Sequence, residues 1–224
     1  MSVGVGATVT QIPAADNRAG MTRAVLNYVQ ANSDPDLENT VHEALNGGVD
    51  LLNSRMWWWN IKTQDITLAA TDLDYTLNSN FKKPIAAILL DTNSKQCSRL
   101  RWKEPKVFYD ENTYNVSDGS PSVYSVVNAK DDGLLVLNVA PTSDFVASWP
   151  KIRLKYHARI AYLTGQATLD APPEFRSLVV WYARWEFALI RGRSTEARAA
   201  EVAYTRWLQR LITDDNDTMT DWDT

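Results

Sequence analysis

Two histidines, one thiol and a large stock of carboxylates are the groups in this sequence that could carry acid–base, nucleophilic or metal chemistry. His42 stands beside Glu43, His157 sits in a row of cations, and Cys97 is the single sulfhydryl. A Ser or Cys triad needs a histidine that reaches both a nucleophile and an orienting carboxylate, and no spacing around His42 suggests one. Cys97 with two histidines is too thin a ligand set for structural zinc, and a lone cysteine forms no internal disulfide. The sequence has no GxxxxGK[ST] or GxGxxG loop for phosphate, and no GxSxG, HExxH, CxxC or Asp-rich calcium loop. Catalysis finds no anchor, and no cofactor or metal is expected. A pair of carboxylates acting on a glycan stays open, because their separation is set in three dimensions.

Charge gives the next candidates. In the stretch from Ile152 to Ile160, Ile152, Leu154, Tyr156, Ala158 and Ile160 alternate with Arg153, Lys155, His157 and Arg159. That is a strand with one apolar and one cationic face, and His157 reads as a surface residue within it. The cationic row can meet phosphates, an acidic subunit or only water. The chain as a whole is at −4, but Asp214, Asp215, Asp217, Asp221 and Asp223 crowd the C-terminal stretch, which holds no Lys or Arg. Removing those five charges leaves +1, so the tail is acidic and the body nearly neutral. Such a tail reads as solvated and disordered, while Trp222 among these acids suits an arm that docks into an apolar pocket with a basic rim. The low pI, near 5.2, and the lack of helix-turn-helix, zinc-finger or basic-arm patterns argue against sequence-specific DNA binding. DNA that merely slides past is another matter, since every strong phosphate contact adds affinity and friction.

The third feature is the run Trp57, Trp58, Trp59. Successive helix positions turn by about 100°, so three neighbours sweep roughly 200° and cannot share one core stripe. Each indole can bury on the order of 200 Å², worth up to about 5 kcal/mol at about 25 cal/mol per Å². Three exposed indoles would make a patch of roughly 600 Å², at the upper end for a monomer. They need a helix and sheet junction, or a second subunit, to lie against.

The elements that position these residues can be read from periodicity. Residues 1–18, rich in Gly, Ala, Val and Thr, read as an arm. Met21, Val25, Tyr28 and Val29 mark a short helix. Ser33 or Asp34 can cap a second one, with Pro35 early in it and Leu37, Val41, Ala44, Leu45, Gly48, Leu52 and Met56 on one face. Gly47 and Gly48 within that helix cost about 1 kcal/mol each against Ala, so they imply either close approach of another backbone or a kink that splits the helix. Strands are expected at 66–69, 75–77, 86–91, 96–102, 123–128, 134–139 and 151–160, with a brief helix at 104–110. After a capping Asp170 with Pro172 and Pro173, a helix carries Phe175, Leu178, Val179, Tyr182, Trp185 and Leu189 on its stripe, with Trp181 and Ala188 off it. Past Gly192 a last helix runs from about Thr195 to Ile212.

The fold class is therefore α+β: a helical bundle of N- and C-terminal segments (19–60 and 170–212) around an inserted, mainly antiparallel β module (61–169), with an N-terminal arm (1–18) and an acidic C-terminal tail arm (213–224). No membrane span or secretion signal is read from the sequence.

The order of these features resembles the head-to-tail adaptor, or connector, proteins of tailed bacteriophages, which attach beneath the portal. The resemblance is carried by VHEALNGGVDLLNSRMWWWN, by LDYTLNSNFKKP, by GSPSVYSVVN with LLVLNVAPTSD, by IRLKYHARIAYL and by APPEFRSLVVWYARWEFAL, spread over about 22–212. Asn78 stands where the family usually has Pro.

The resemblance implies a structural virion protein, made in the host cytoplasm and placed at the head–tail junction. It implies a ring of identical copies, twelve by family likeness, that binds the portal protein, meets a downstream tail or nozzle protein and extends the DNA channel. Within such a ring, Asp214, Asp215, Asp217, Asp221, Trp222 and Asp223 become a portal-docking arm, ordered in assembly. Trp57, Trp58, Trp59, Trp181 and Trp185 become core-junction or subunit-boundary residues, and Arg153, Lys155 and Arg159 a face toward the channel or an acidic partner. The competing readings are a virion-associated cell-wall hydrolase of muramidase type and a tail-hub binding module.

Overall fold

The computed structural model describes residues 17–31, 35–112, 118–129, 133–165 and 167–220. In chain order the elements are α1 (Arg18–Tyr28), α2 (Pro35–Asn53), a 3-10 turn (Trp58–Asn60), β1 (Ile61–Thr67), β2 (Asp74–Thr76), β3 (Phe81–Leu90), β4 (Gln96–Trp102) and α3 (Pro105–Asn112). There follow β5 (Asp118–Gly119), β6 (Val123–Val127), β7 (Leu134–Leu137), β8 (Ala140–Pro141), α4 (Ser143–Ser148), β9 (Lys151–Ala158), α5 (Pro173–Ile190) and α6 (Ser194–Thr220). The chain is mixed α+β and divides into two compact units: a helical one of Met1–Trp58 with Ile160–Thr224, and a β one of Trp59–Arg159. Of the expected N-terminal arm, residues 1–16 lie outside the described residues, as do the caps Ser33 and Asp34, while Asn17 and Arg18 begin α1.

In the helical unit, Asn17 caps α1 by accepting from the Gly20 amide at 2.9 Å, and Met21, Thr22, Val25 and Leu26 turn inward. Helix α2 opens on Pro35 and buries Val41, Ala44, Leu45, Gly48, Val49 and Leu52. It is one helix, so the split that the two glycines allowed does not occur. A Cβ on Gly48 would stand 3.1 Å from the Val179 Cα and 3.2 Å from its carbonyl oxygen, so the glycine lets α5 approach backbone to backbone.

The helix stops at Asn53, short of the expected Met56, where side chains take over carbonyls of its last turn and the Asn53 side chain ties its end to Ile160. Asn53 exchanges hydrogen bonds with the Ile160 backbone at 3.0 and 2.9 Å, and the Trp57 indole donates to the Leu52 carbonyl at 2.8 Å. The three tryptophans therefore do not continue a helix.

Helix α5 presents a rotated stripe. Ala183, Phe187 and Ala188 are buried, whereas Leu189, placed on the stripe by periodicity, is 53% exposed. The Arg184 guanidinium explains part of that rotation: it lies 4.9 Å from the Tyr28 ring centroid and 4.5 Å from that of Trp181, and donates to the Ala24 carbonyl. Helix α6 runs to Thr220, eight residues beyond the expected end at Ile212.

The β unit is a seven-stranded sheet of order β1-β9-β3-β4-β6-β7-β2, antiparallel except where β4 meets β6. The expected strands all appear, but β1 and β3 start about five residues early. Three short elements were not expected. The pair β5 and β8 uses Asp118 and Gly119, which read as turn residues, and α4 is started by Thr142, whose hydroxyl accepts from the Phe145 amide at 3.2 Å. The inner face of the sheet packs Leu89, Leu100, Tyr124, Leu135, Ile152, Leu154 and Tyr156 into one core, which Phe145, Val146 and Trp149 cover. A second small cluster joins Phe108 of α3 to Val123 and Val136.

Candidate functional site

The helical unit places the first two indoles of the tryptophan run in opposite environments. Trp57 is 2% exposed and meets Phe175 edge to face at 4.9 Å between centroids. Trp58 is 46% exposed, on a turn whose amide is held by the carboxylate of Asp215 at 2.9 Å. Trp59 is half-buried. A loop position that points an indole outward while its backbone is fixed from below loses little side-chain freedom on meeting a partner.

That hydrogen bond corrects one expectation about the acidic stretch. Asp215 is 8% exposed and serves the fold, as a helix residue rather than part of a loose arm. Asp214 lies 3.7 Å from Arg210 one turn back on α6, and Asp217 belongs to the same helix. Asp221, Trp222 and Asp223 lie outside the described residues. Of the α5 indoles, Trp181 stands edge to face with Tyr28 at 5.7 Å, and Trp185 stacks on Tyr204 at 5.9 Å with an interplanar angle of 3°. Both are half-buried, and the Trp181 ring nitrogen has no hydrogen-bond partner.

In the β unit the alternation of β9 is observed: Ile152, Leu154, Tyr156 and Ala158 are buried, and Arg153, Lys155 and His157 lie on the outer face, partly covered. The register joins that face to its neighbours. Arg153 pairs with Asp65 of β1 on one side and Ile88 of β3 on the other, and Ile88 pairs in turn with Arg99 of β4. Lys155 sits between Thr63 and Ala86, and Arg101 follows Arg99 on the same side of β4, with Leu100 between them buried. The face is thus two cationic columns, one on β9 and one on β4, separated by Ile88 and Ala86. Sequence reading missed Arg99 and Arg101, although their alternation about Leu100 in QCSRLRW carries the same signal as β9.

Two of the anticipated cations are committed elsewhere. Arg153 grips Asp65 through Nε and Nη2, both at 2.7 Å, and this hydrogen-bonded fork, aided by the charge, holds the Asp65 carboxyl below the usual carboxylate range. Arg159 donates to the Ala129 carbonyl at 2.9 Å, where it braces a loop. Among the described residues Arg99, Arg101 and Lys155 are in no ion pair.

Charge is also divided between the units. Residues 59–159 hold thirteen Lys and Arg against eleven Asp and Glu, a net of +2, whereas the remainder hold ten against sixteen, a net of −6. Every lysine of the chain is in 59–159. On α2 the exposed acids Asp36, Glu43 and Asp50 recur every seven residues and so share one side of the helix. Beside them Glu186 of α5 is half-buried; burial raises its pKa first, and Glu43 adds to the rise against a Tyr182 hydrogen bond that lowers it.

The groups with catalytic potential are scattered. His42 lines a cavity of about 390 Å³ with Arg18, Arg23 and Glu38, and burial, then the Arg18 charge, lowers its pKa. Cys97 is exposed on β4. Among the described residues no group of three His, Cys, Asp or Glu could hold a metal ion, and no helix is long and apolar enough to cross a membrane.

A comparison with protein families adds to this geometry: the family described as SU10 adaptor protein matches residues 16–223. The chain belongs to the SU10 adaptor protein family. The match spans both units, α6 included, and agrees with the resemblance to phage head-to-tail adaptors carried by the strand and helix motifs. Membership in the SU10 adaptor family makes the chain a phage adaptor, a virion component that works by meeting other virion components. No curated protein matches the sequence.

Proposed function

We propose that this adaptor closes into a ring of identical copies, twelve in number, which seats on the portal, receives a downstream tail or nozzle protein and prolongs the DNA channel at the head–tail junction. It works by shape and contact, without turnover. The observation that carries the reading is the exposed Trp58 on a turn pinned by Trp57 and Asp215. In a ring every copy has two flanks, so an aromatic surface left over from one core is covered by a neighbour, and the contact closes when its rotation divides the circle. Portal docking falls to the acidic end beyond the internal role of Asp215: Asp217, Asp221, Trp222 and Asp223.

The test mixes purified chain with portal and counts copies by electron microscopy. Trp58→Ser should leave the melting temperature nearly unchanged, as surface substitutions do within about 0.5 kcal/mol, yet reduce the fraction of portals carrying complete rings. Truncation after Thr220 should weaken portal attachment with the fold intact; truncation after Ile212 is the poorer test, because it removes Asp215. Full rings with Trp58→Ser and full attachment without 221–224 would overturn both assignments. Loss of a glycan-hydrolysing activity on changing one carboxylate would favour the hydrolase instead.

A further inference from the structure

We propose that the outer face of the β sheet, through Arg99, Arg101 and Lys155, docks on the acidic side of α2, Asp36, Glu43 and Asp50, of a second copy of this chain. This names an interface for the ring proposed above and rests on that reading.

Three observations carry it. The first is charge: the β unit is at +2 and the helical unit at −6, or −1 once the five acids Asp214, Asp215, Asp217, Asp221 and Asp223 are set aside, so head-to-tail association sets unlike charges against each other, whereas a two-fold pairing of like surfaces would not. The second is spacing. Residues seven apart on a helix are about 10.5 Å apart along its axis. Strands β9 and β4 flank β3, so their columns stand about 9.6 Å apart. A helix laid across the strands therefore offers one acid to each column, and Ile88 and Ala86 between the columns carry no charge. The third is the want of a cation on that side of α2: among the described residues neither Glu43 nor the nearby Glu186 is in an ion pair.

DNA phosphates are the other anion available. Each phosphate neutralised adds about 0.9 to the salt slope of binding, so three cations per copy repeated round a ring would hold the duplex fast where it has to slide. An acidic protein face is the better match.

The test uses the full chain in two charge-reversed forms, one carrying Arg99→Glu, Arg101→Glu and Lys155→Glu, the other Asp36→Lys and Glu43→Lys, each first matched to the parent by thermal melting. Asp50 is spared because it accepts from the Tyr162 hydroxyl at 2.6 Å. Sedimentation at low salt should show self-association of the parent weakened at least tenfold in either form alone and recovered in their equimolar mixture. A second arm places Lys155→Cys and Glu43→Cys in a Cys97→Ser background and looks for disulfide-linked copies in portal-bound rings. Parent-like association of both reversed forms, no recovery on mixing, or rings without cross-links overturns the interface. Absence of rings on the portal instead removes the ring reading. Duplex DNA binding that the sheet reversal abolishes while self-association persists assigns the face to phosphate and overturns the proposal.

Discussion

Single carboxylates behave here in three ways, and each has a consequence that can be measured. Asp215 replaces water at the Trp58 amide inside the protein, the role that an N-cap side chain plays at a helix start. Asp215→Ala is expected to cost about 1–2 kcal/mol, seen as a fall in melting temperature of roughly 2–4 °C per kcal/mol. Asp65, forked by Arg153, is held ionised. Glu186 is pushed the other way, by burial and then by Glu43, against the Tyr182 hydrogen bond. Its folded pKa lies above the free value of 4.5, so its contribution to stability is complete below that value and is lost as the pH rises through the folded pKa. Glu186→Gln, which mimics the neutral acid, should therefore melt higher than the parent at pH 7 and together with it below about pH 4. A parent and variant that differ equally at both pH values would refute this.

Among the elements, α2 shows how a sequence pattern can be right about packing and wrong about extent. Its apolar repeat reveals the face it buries. Its end depends on Asn53 and Trp57 reaching carbonyls and amides, which periodicity does not encode. The same holds for α6, where a run of Asp reads as a solvated tail until one of them is seen to bond a turn that lies 157 residues away in sequence. Strand β9 was legible to within two residues of its end because alternation is local, whereas β5 and β8, two residues each, are too short to leave a period. The cation pair on β4 carries the same alternation as β9 but over a shorter run, Arg99, Leu100 and Arg101. Gly48 gives this scale its prediction. Alanine there should gain about 1 kcal/mol of helix propensity but meets the Val179 backbone at 3.1 Å, and overpacking of about 1–3 kcal/mol wins. Gly47→Ala faces the ends of Tyr182 and Glu186, which can yield, so denaturant melts should rank Gly48→Ala below Gly47→Ala.

At the scale of the whole molecule, the sequence conveyed the kind of protein through the order of its motifs, while the charge division between the units, +2 against −6 with the five C-terminal acids included, emerges only once the bounds of each unit are known. The lysine distribution behind that division has a practical consequence. With all nine amines of this type confined to 59–159, reagents that acylate them decorate the β unit alone, the N-terminal amine apart. A gold or fluorescent tag attached in this way is a compass needle: within an intact particle it reports where the β unit of each copy lies relative to the capsid. Protection of Lys155 from the same reagent on assembly gives a footprint of what lies against the sheet.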